Sequence, residues 1–348
     1  MRIVSVVGAR PQFVKLAPIA AATEGRAEHI IVHTGQHYDE AMSDVFFRDL
    51  GIPAPEVNLE VGSGSHGRQT GRMLELLERE FERLSPDWVL VYGDTNSTVA
   101  AALAAVKMHL PVAHLEAGLR SFNRRMPEEH NRVITDHAAD LLLAPTRLAM
   151  EHLAHEGLGG RSVLVGDVMT DVLYRVRDQG RQNPLDFLDG SYYVATIHRP
   201  DNTDDPARLL RIIDVLAGLD RPVVLLAHPR VRTIAEQNGI PLDVGGLQSR
   251  DPLPYPELVA AVRHSAGVIT DSGGLQKEAF LLRVPATTIR LETEWVETVD
   301  LGWNWLANDP DDIAAAVSRP TPTPTDATPY GDGHAAGAVV DELLRRRT

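Results

Sequence analysis

The sequence predicts an α/β fold in which helices cover both faces of a doubly wound, parallel β-sheet. In the first 170 residues, short apolar runs typical of buried strands alternate six times with helical patterns. The second half of the chain alternates in the same way. Because 348 residues exceed the size at which a single hydrophobic core usually keeps growing, we expect two domains of this type.

The first half contains six predicted strands, each a short run of apolar, mostly β-branched or leucine residues. They cover residues 3–7, 29–33, 89–92, 112–115, 141–144 and 163–165. After the second strand, the string GQHYDE begins an amphipathic pattern with Val45, Phe46 and Leu50 on one face, which predicts a helix. We place the end of this first domain at residue 168, where the chain is expected to cross to the second.

The second half contains four predicted strands and two connecting segments. The strands cover residues 192–197, 223–227, 268–270 and 286–289. No strand is expected after the last of these. Polar residues 175–189 suggest a surface connection, and four prolines make residues 319–330 an extended linker. We therefore predict a second domain over 169–330 and a final amphipathic helix within 331–348.

Composition and charge argue against several kinds of partner and chemistry. The formal net charge of −14 disfavours nucleic acid or an anionic membrane as a partner. The sequence has no cysteine, which excludes disulfides, thiolate metal sites and cysteine nucleophiles. No His and carboxylate residues are spaced as metal ligands, so we expect no metal site. Since no apolar run approaches about 18 residues and Met1 leads directly into a strand pattern, we expect a cytoplasmic protein without a signal peptide.

Three carboxylates occupy the ends of strands or the starts of helices in the middle of the first domain. Asp94 and Glu116 each follow a predicted strand, and Glu128 begins the next helical pattern. Because the carboxyl ends of parallel strands line the crevice in which such sheets bind ligands, these residues are candidate acid and base groups. Each also has a structural explanation: a helix cap for Asp94, a solvated loop for Glu116 and a helix-dipole partner for Glu128.

Arginines lie among these carboxylates. They are Arg120, Arg124, Arg125 and Arg132. With a net charge of −14, the protein can bind a phosphate only at such a local cluster of cations. Cations mixed with potential acids and bases suit an anionic substrate whose reacting part needs proton transfer.

A first anion site is predicted where the first strand turns into a helix. Free N–H groups at the start of a helix attract anions, and Arg10 and Lys15 beside this turn suit a phosphate or a nucleotide. The alternative is a surface turn with two solvated cations. Further on, Gly62, Gly64 and Gly67 match a dinucleotide-binding pattern, but no convincing strand precedes them. A mobile loop is the preferred interpretation, so we expect no nicotinamide cofactor.

The second domain presents polar residues where two of its strands end. His198 and Arg199 follow the strand over 192–197, and Arg290 follows the strand over 286–289. A lone histidine is often a satisfied structural residue. Its place at the carboxyl end of a strand nevertheless favours a functional role for His198.

The string DSGGLQKEA predicts a second anion site. Gly273 and Gly274 permit a tight turn whose backbone N–H groups face a diphosphate, and the Ser272 hydroxyl adds a donor. Glu278, one turn into the following helix, can accept hydrogen bonds from ribose hydroxyls. An exposed helix carboxylate without function is the alternative for Glu278.

Seven strings along the chain carry a family resemblance. They are GARPQFVKLAP, GQHYDE, VYGDTNST, HLEAGLRSFNRRMPEEHNR, DSGGLQKEA, ETEWVE and YGDG. In this order they resemble the non-hydrolysing UDP-N-acetylglucosamine 2-epimerase family, and HLEAGLR and DSGGLQKEA are far more specific than a lone glycine motif. The resemblance implies two Rossmann-like domains facing a central cleft, the GT-B arrangement, with a C-terminal helix that returns to the first domain.

The resemblance also implies an activity. It is the reversible inversion at C2 of a UDP-linked 2-acetamido sugar, without a cofactor, by a cytoplasmic homodimer that serves polysaccharide biosynthesis. UDP is first expelled from C1 to give a 2-acetamidoglucal, and it is then added back. Asp94, Glu116 and Glu128 would handle protons around C2 and C3, while His198 would help the diphosphate to depart.

Further residues match binding positions of the family. The implied UDP contacts are Arg10, Lys15, Arg132, Arg199, Ser272, Gly273, Gly274, Glu278 and Arg290. In some relatives a second, activating sugar nucleotide binds in an effector region. The residues that match this region are Gln36, His37, Gln69 and His228.

Several positions depart from the family pattern. Gln12 replaces a common glutamate, Leu291 stands where aspartate is frequent, and Trp295 where an arginine often lies. These changes resemble a subgroup that includes epimerases for modified sugars such as UDP-2,3-diacetamido uronates. The sugar and activation by a second nucleotide therefore stay open. The alternatives in function are a UDP-dependent glycosyltransferase of the same fold and a non-catalytic UDP-sugar sensor.

Overall fold

The computed structural model describes residues 1–36, 52–188 and 192–346. The chain divides into two compact units: unit 1 is Met1–Tyr174 with Thr328–Thr348, and unit 2 is Arg175–Ala327. The helix predicted after GQHYDE and the candidate residue His37 lie outside the described residues.

Unit 1 contains a parallel sheet covered by helices. Its described strands are β1 (Arg2–Val7), β2 (Glu28–His33), β3 (Val57–Asn58), β4 (Trp88–Tyr92), β5 (Val112–Leu115), β6 (Leu141–Ala144) and β7 (Ser162–Leu164). Its first described helices are α1 (Arg10–Thr23), α2 (His66–Leu84), α3 (Asn96–Lys107), α4 (Pro127–Ala138), α5 (Arg147–His155) and α6 (Val168–Asp178). The strand order is β3-β2-β1-β4-β5-β6-β7, so the order reverses between β1 and β4. Such sheets bind ligands beside the carboxyl ends at this reversal.

The local sequence explains why helices begin at this edge. β4 is buried throughout because helices cover both faces of the sheet. Directly after it, the Thr95 hydroxyl accepts a hydrogen bond from the Thr98 N–H at 3.3 Å and caps α3. Proline in the first turn begins both α1 and α4.

Unit 2 has the same architecture, a second parallel sheet covered by helices. Its described strands are β8 (Tyr193–Thr196), β9 (Val223–Leu226), β10 (Leu247–Arg250), β11 (Gly267–Thr270), β12 (Ala286–Thr288) and β13 (Asn304–Leu306). Its described helices are α7 (Pro200–Thr203), α8 (Pro206–Ala217), α9 (Pro229–Asn238), α10 (Tyr255–Arg263), α11 (Gly273–Leu281), α12 (Val296–Asp300) and α13 (Asp312–Val317). The order β10-β9-β8-β11-β12-β13 reverses between β8 and β11. His198 follows β8 and Ser272 follows β11, so both lie at this reversal.

Three strands are not predicted by the sequence patterns, and each lies at the edge of a sheet. They are β3, β10 and β13. An edge strand is covered on fewer sides, so it needs no continuous apolar run; β10, for example, reads LQSR. The expectation that no strand follows residues 286–289 is therefore wrong. β3 also precedes the glycine pattern at Gly62, although it has only two residues.

The connecting segments agree with the sequence in part. Residues 320–328 contain neither helix nor strand, as the prolines predict. Of the expected surface connection over 175–189, residues 175–178 form the last turn of α6.

The C-terminal helix α14 (Ala335–Arg345) packs on unit 1, which confirms the predicted return. Val339 and Leu343 are fully buried in the core formed with α1 and β1. The Asp171 carboxylate of α6 accepts hydrogen bonds from the first two N–H groups of α14, at 3.0 and 2.8 Å. Since the first N–H groups of a helix lack partners within the helix, Asp171 fastens α14 to unit 1.

Candidate functional site

Two of the predicted carboxylates lie where the neighbouring strands β4 and β5 end in unit 1. Asp94 comes directly after Gly93, and Glu116 follows the neighbouring strand. A Cβ atom placed on Gly93 would lie 3.2 Å from Glu116 Oε2 and 3.3 Å from Lys15 Nζ. The ion pair between Lys15 and Glu116 thus lies against the residue that precedes Asp94. The structure therefore brings Asp94, Glu116 and Lys15 together.

Glu116 has an unusual backbone conformation. Its φ of 69° lies in the left-handed region, which is uncommon for a residue other than glycine. Glu116 is only 9% exposed, so the solvated-loop explanation is wrong. Desolvation lowers the pKa of Lys15, but the charges of Glu116 and Asp94 outweigh it and the pKa is raised. Lys15 therefore remains a cation beside these carboxylates.

Asp94 is partly open to solvent and also has a cation beside it. Its side chain is 35% exposed and forms an ion pair with Arg132 of α4. Asn131 Nδ2 donates a hydrogen bond to the Asp94 carbonyl at 2.9 Å. The capping explanation for Asp94 is wrong, because Thr95 caps α3. A solvent-accessible carboxylate with a fixed backbone suits proton transfer.

Glu128 and Glu129 both begin α4 but have different surroundings. Glu128 is exposed, and among the described residues no side chain pairs with it. Glu129 is buried and accepts hydrogen bonds from Ser121 N at 3.0 Å and from Arg132 Nη2 at 2.7 Å. Desolvation raises the pKa of Glu129, but these hydrogen bonds outweigh it and the pKa is lowered. Glu129, which no sequence signal separates from Glu128, orients Arg132 and the loop before α4.

The four arginines of this region do not act alike. Arg120 is buried and pairs with Asp136 at 2.7 Å and with Glu156 at 2.8 Å. It cannot meet a substrate there, so its expected place in a cation cluster for the substrate is wrong. Arg124 and Arg125 are exposed, and no ion pair involves them within the described part of the chain. Of this set, these two arginines supply uncompensated positive charge.

A buried histidine and aspartate pair lies behind the two carboxylates and was not predicted. His114 of β5 and Asp136 of α4 are fully buried, with 2.6 Å between His114 Nδ1 and Asp136 Oδ1. His114 Nε2 lies 2.7 Å from the Gly93 carbonyl oxygen. A histidine inside the apolar run VAHL is the one sequence signal that marks this pair.

The contacts of Gln12 explain why a glutamine stands where the family commonly has a glutamate. Its Oε1 accepts hydrogen bonds from Gly8 N at 2.8 Å and Ala9 N at 3.0 Å, and its Nε2 donates to the Tyr92 carbonyl at 2.9 Å. The glutamine thus ties the start of α1 to the end of β4. An ionised glutamate could not donate the last of these hydrogen bonds.

In unit 2, His198 is held by a buried aspartate. His198 Nδ1 lies 2.9 Å from Asp271 Oδ1, and the His198 and Arg199 N–H groups donate to the same carboxylate at 3.0–3.1 Å. Desolvation raises the pKa of Asp271, but the hydrogen bonds from His198, Arg199 and Asn202 outweigh it and the pKa is lowered. The His198 side chain remains 41% exposed. It is thus anchored at one nitrogen and accessible elsewhere.

The DSGG turn is the start of helix α11. Ser272 caps this helix, and its hydroxyl faces Leu275 N at 3.5 Å. The expectation that the glycines serve a tight turn is wrong, since Gly273 and Gly274 lie in the first helical turn and have no positive φ. A Cβ on Gly274 would meet little besides Ser272 Oγ at 4.0 Å. A Cβ on Gly273, by contrast, would lie 3.6 Å from both Glu294 carboxylate oxygens and 3.7 Å from Trp295 Nε1. The helix start is therefore open beside Gly274 but adjoins Glu294 and Trp295 beside Gly273.

Other predicted UDP-binding residues of unit 2 form ion pairs or hydrogen bonds within that unit. Arg290 pairs with Glu294 at 2.7 Å, and Arg199 lies 3.7 Å from the same carboxylate. Desolvation raises the pKa of Glu294, but Arg290 outweighs it and the pKa is lowered. Glu278 is half-buried and accepts a hydrogen bond from the Tyr255 hydroxyl at 3.0 Å.

The predicted effector residues fall into two places. In unit 1, the Gln36 side chain accepts hydrogen bonds from Ser97 N at 3.0 Å and Ser97 Oγ at 2.7 Å, and Gln69 donates to the Gln36 carbonyl at 3.2 Å. A pocket of about 280 Å³ lined by the loop from Leu59 to Gly64 adjoins Gln69. In unit 2, the rings of His228 and His198 lie 6.1 Å apart between centroids.

Neither a cluster of metal ligands nor a membrane-spanning helix occurs in the described segments. No group of three or more His, Asp or Glu side chains there is arranged to hold a metal ion. In the same segments, no helix has both the length and the apolarity that crossing a membrane requires.

The fold and the two sets of polar residues define a class of protein. Each unit has a parallel sheet with a reversal of strand order and with polar side chains at its carboxyl edge. This is the two-domain, Rossmann-like α/β class known as GT-B in glycosyltransferases.

Comparison with known proteins identifies the family. The family model of UDP-N-acetylglucosamine 2-epimerase matches residues 20–344. A UDP-2,3-diacetamido-2,3-dideoxy-D-glucuronate 2-epimerase of Pseudomonas aeruginosa is 44% identical, over 99% of this chain and all of that protein. A UDP-N-acetylglucosamine 2-epimerase homolog of Methanococcus maripaludis is 43% identical, over 99% of each. The chain belongs to the UDP-N-acetylglucosamine 2-epimerase family and is an isomerase.

A solved structure supports this assignment. The Methanocaldococcus jannaschii UDP-GlcNAc 2-epimerase, in complex with UDP-GlcNAc and UDP, matches with a TM-score of 0.82 and 35% identity. The match covers 99% of this chain and 100% of that one. The fold expected from the family resemblance is confirmed at the level of two Rossmann-like domains.

Proposed function

We propose that this protein reversibly inverts C2 of a UDP-linked 2-acetamido sugar. The observation that carries the proposal is that Asp94, the residue after Gly93, and Glu116, whose carboxylate lies against Gly93, are each paired with a cation. Two carboxylates at one site suit a reaction that removes a proton and returns one to the opposite face. The names of the relatives support a UDP-sugar as substrate.

Inversion at C2 is difficult because no carbonyl group adjoins the C2–H bond. We propose that a carboxylate takes the C2 proton while the electrons of the C2–H bond form a C1=C2 double bond. UDP leaves with the electrons of the C1–O bond. Addition of UDP to C1 and of a proton to the other face of C2 gives the epimer. Asp94, Glu116 and Glu128 are the proposed acid and base groups.

The proposed task of unit 2 is to stabilise UDP as it departs. The start of α11, which is open beside Gly274, offers N–H groups to an anion, and His198 presents a partly exposed ring. Arg199 and Arg290 add positive charge. Donors that are already in place when charge develops on a leaving group lower the barrier. Proposed UDP contacts of unit 1 are Arg10, Lys15 and Arg132; the ion pairs of the last two suggest that they mainly position carboxylates.

The sugar is proposed to be acidic, as in UDP-2,3-diacetamido-2,3-dideoxy-D-glucuronate. The two relatives named above have nearly equal identity, so identity does not separate their substrates. Arg124 and Arg125, exposed and uncompensated on the loop that Glu129 holds, favour a sugar with a carboxylate. We expect the double variant Arg124→Gln with Arg125→Gln to lower kcat/KM for the uronate by about tenfold or more. Its kcat/KM for UDP-N-acetylglucosamine should stay unchanged.

A matched control is Arg79→Gln, which removes an exposed arginine of α2 that pairs with Glu75. This variant should leave kcat/KM unchanged for both sugars. An equal loss of kcat/KM for both sugars in the double variant would show that the loop does not recognise the carboxylate.

We also propose that the protein is a cytoplasmic homodimer. Sedimentation of the purified protein tests the oligomeric state.

A test in deuterium oxide separates this function from its alternatives. Elimination transfers the C2 hydrogen to a carboxylate that exchanges with solvent, so product and recovered substrate should both carry deuterium at C2. A glycosyltransferase breaks only the C1–O bond and a sensor breaks none, so neither can introduce this label. Turnover with complete retention of the C2 hydrogen, measured by NMR, would remove the roles of Asp94, Glu116 and Glu128.

A further inference from the structure

The buried pair His114 and Asp136 is not needed for proton transfer or for UDP binding in the proposed function. Both ring nitrogens of His114 face an acceptor, the Asp136 carboxylate on one side and the Gly93 carbonyl on the other. Each ring nitrogen thus lies within hydrogen-bond distance of an oxygen atom on a different segment of the chain, which fixes the orientation of the ring.

The pair is part of a larger network of hydrogen-bonded and charged groups. Asp136 Oδ2 accepts hydrogen bonds from Gly118 N at 3.0 Å and from Arg120 Nη2 at 2.7 Å. Arg120 in turn pairs with Glu156. Buried charges are costly unless they are paired and hydrogen-bonded. The set is therefore constrained to one arrangement, in which each contact depends on the others.

Two of these contacts end on the turns that hold the candidate carboxylates. Gly93, whose carbonyl meets His114, directly precedes Asp94. Gly118, whose N–H meets Asp136, lies two residues after Glu116. A Cβ on Gly118 would lie 2.4 Å from the Ala149 carbonyl oxygen, so this turn packs tightly and cannot move toward α5. His114 and Asp136 thus connect one catalytic turn to the other through the protein interior.

We propose that His114 and Asp136 are positioning residues that set the separation of the Asp94 and Glu116 carboxylates. This inference rests on the proposed roles of those two carboxylates. Removal of a proton on one face of C2 and its return on the other require both groups at fixed places around one sugar ring. A displacement of about 1 Å can slow such a reaction on the order of a hundredfold.

Two substitutions of His114 separate its two contacts. In His114→Gln the side-chain NH2 lies near the position of Nε2 and can still donate to Gly93. In His114→Asn it lies near Nδ1 and loses that contact. We expect kcat to fall by about a hundredfold in His114→Asn and by about tenfold or less in His114→Gln, with the Kd for UDP unchanged in both.

Leakage of the intermediate gives a readout that a purely structural role would not change. With the second carboxylate misplaced, more turnovers should end as free UDP and 2-acetamidoglucal instead of epimer. This fraction should rise in His114→Asn and stay near the wild-type value in His29→Gln. His29 is a matched control, because it lies in β2 of the same sheet and contacts Ser5 Oγ at 2.8 Å.

Several outcomes would overturn the inference. They are a wild-type kcat in His114→Asn, and equal losses in both His114 variants without more leakage. If His114→Asn does not fold, Asp136→Asn replaces it, since Arg120 keeps its pairing with Glu156; a wild-type kcat there would have the same meaning. Failure of the proposed function is distinguishable, because wild-type protein would then not exchange deuterium at C2.

Discussion

Both units contain a histidine paired with a buried aspartate at the carboxyl edge of a parallel sheet, yet the two pairs differ in exposure. In unit 1, His114 and Asp136 are both fully buried, and both histidine nitrogens are engaged. In unit 2, Asp271 is equally buried, but the His198 side chain is 41% exposed and one nitrogen is anchored. The same pair of residue types thus holds two turns together in one unit and presents a ring to solvent in the other.

A histidine and aspartate pair therefore does not by itself mark a catalytic group. What decides its use is where the histidine lies relative to the end of the strand. His114 lies within β5 and points into the protein, whereas His198 lies after β8. We therefore expect substitutions of the unit 1 carboxylates to change turnover alone and substitution of His198 in unit 2 to change UDP binding together with turnover.

The largest expected effect comes from the carboxylates of unit 1. Asp94→Asn, Glu116→Gln and Glu128→Gln should each lower kcat by about a hundredfold or more, the usual scale for a general acid or base. The Kd for UDP, measured by calorimetry, should stay near the wild-type value. A near-wild-type rate would remove that residue from the proposed site, and Glu128, which is exposed, is tested most sharply.

A smaller effect is expected from the exposed histidine of unit 2. His198→Asn should weaken UDP binding and slow turnover together, each by about tenfold, because its proposed partner is the departing diphosphate. Asp271→Asn should have a similar but weaker effect, since Arg199 N and Asn202 still hold the position. A change in kcat with unaltered UDP affinity would place His198 among the acid and base groups instead.

The pH dependence of folding stability provides a further comparison, between the buried aspartates Asp271 and Asp136. The folded pKa of Asp271 is lowered by its hydrogen bonds, so the stability it contributes is fully present above the ordinary aspartate pKa of about 4. That contribution is lost as the pH falls through the folded pKa. Asp271→Asn should lower the unfolding free energy by about 1–3 kcal/mol at pH 7.

The same reasoning applies to Asp136, whose pKa is lowered by His114 and Arg120 against an opposing effect of desolvation. For both variants the difference from wild type should shrink below about pH 4 in denaturant titrations. A difference that stays constant down to pH 2 would show that packing, not charge, accounts for it.

The smallest expected effect is that of chelation. We expect EDTA to leave turnover unchanged, because the proposed chemistry uses only side chains and the described residues offer no metal-binding group. A loss of activity in EDTA that only a divalent ion restores would contradict this expectation.

Local chemistry made much of the site predictable. Asp94, Glu116 and His198 could be located because each follows an apolar run, and parallel strands end at one edge of the sheet. Strands in the middle of each sheet were predictable for the same reason, since burial on both faces requires continuous apolar residues. The edge strands β3, β10 and β13 were not, because partial exposure leaves no such requirement.

The order of residues along the chain is enough to predict the alternation of strands and helices, the strand ends at which polar residues lie, and the family resemblance. Which charged side chains form pairs is evident only in the folded chain. Arg120 and Arg124 are equivalent by sequence, yet one is buried between two carboxylates and the other is exposed. The same holds for Glu128 and Glu129. Such pairings join residues from different helices and strands, so they depend on distances in space that no local pattern of residues encodes.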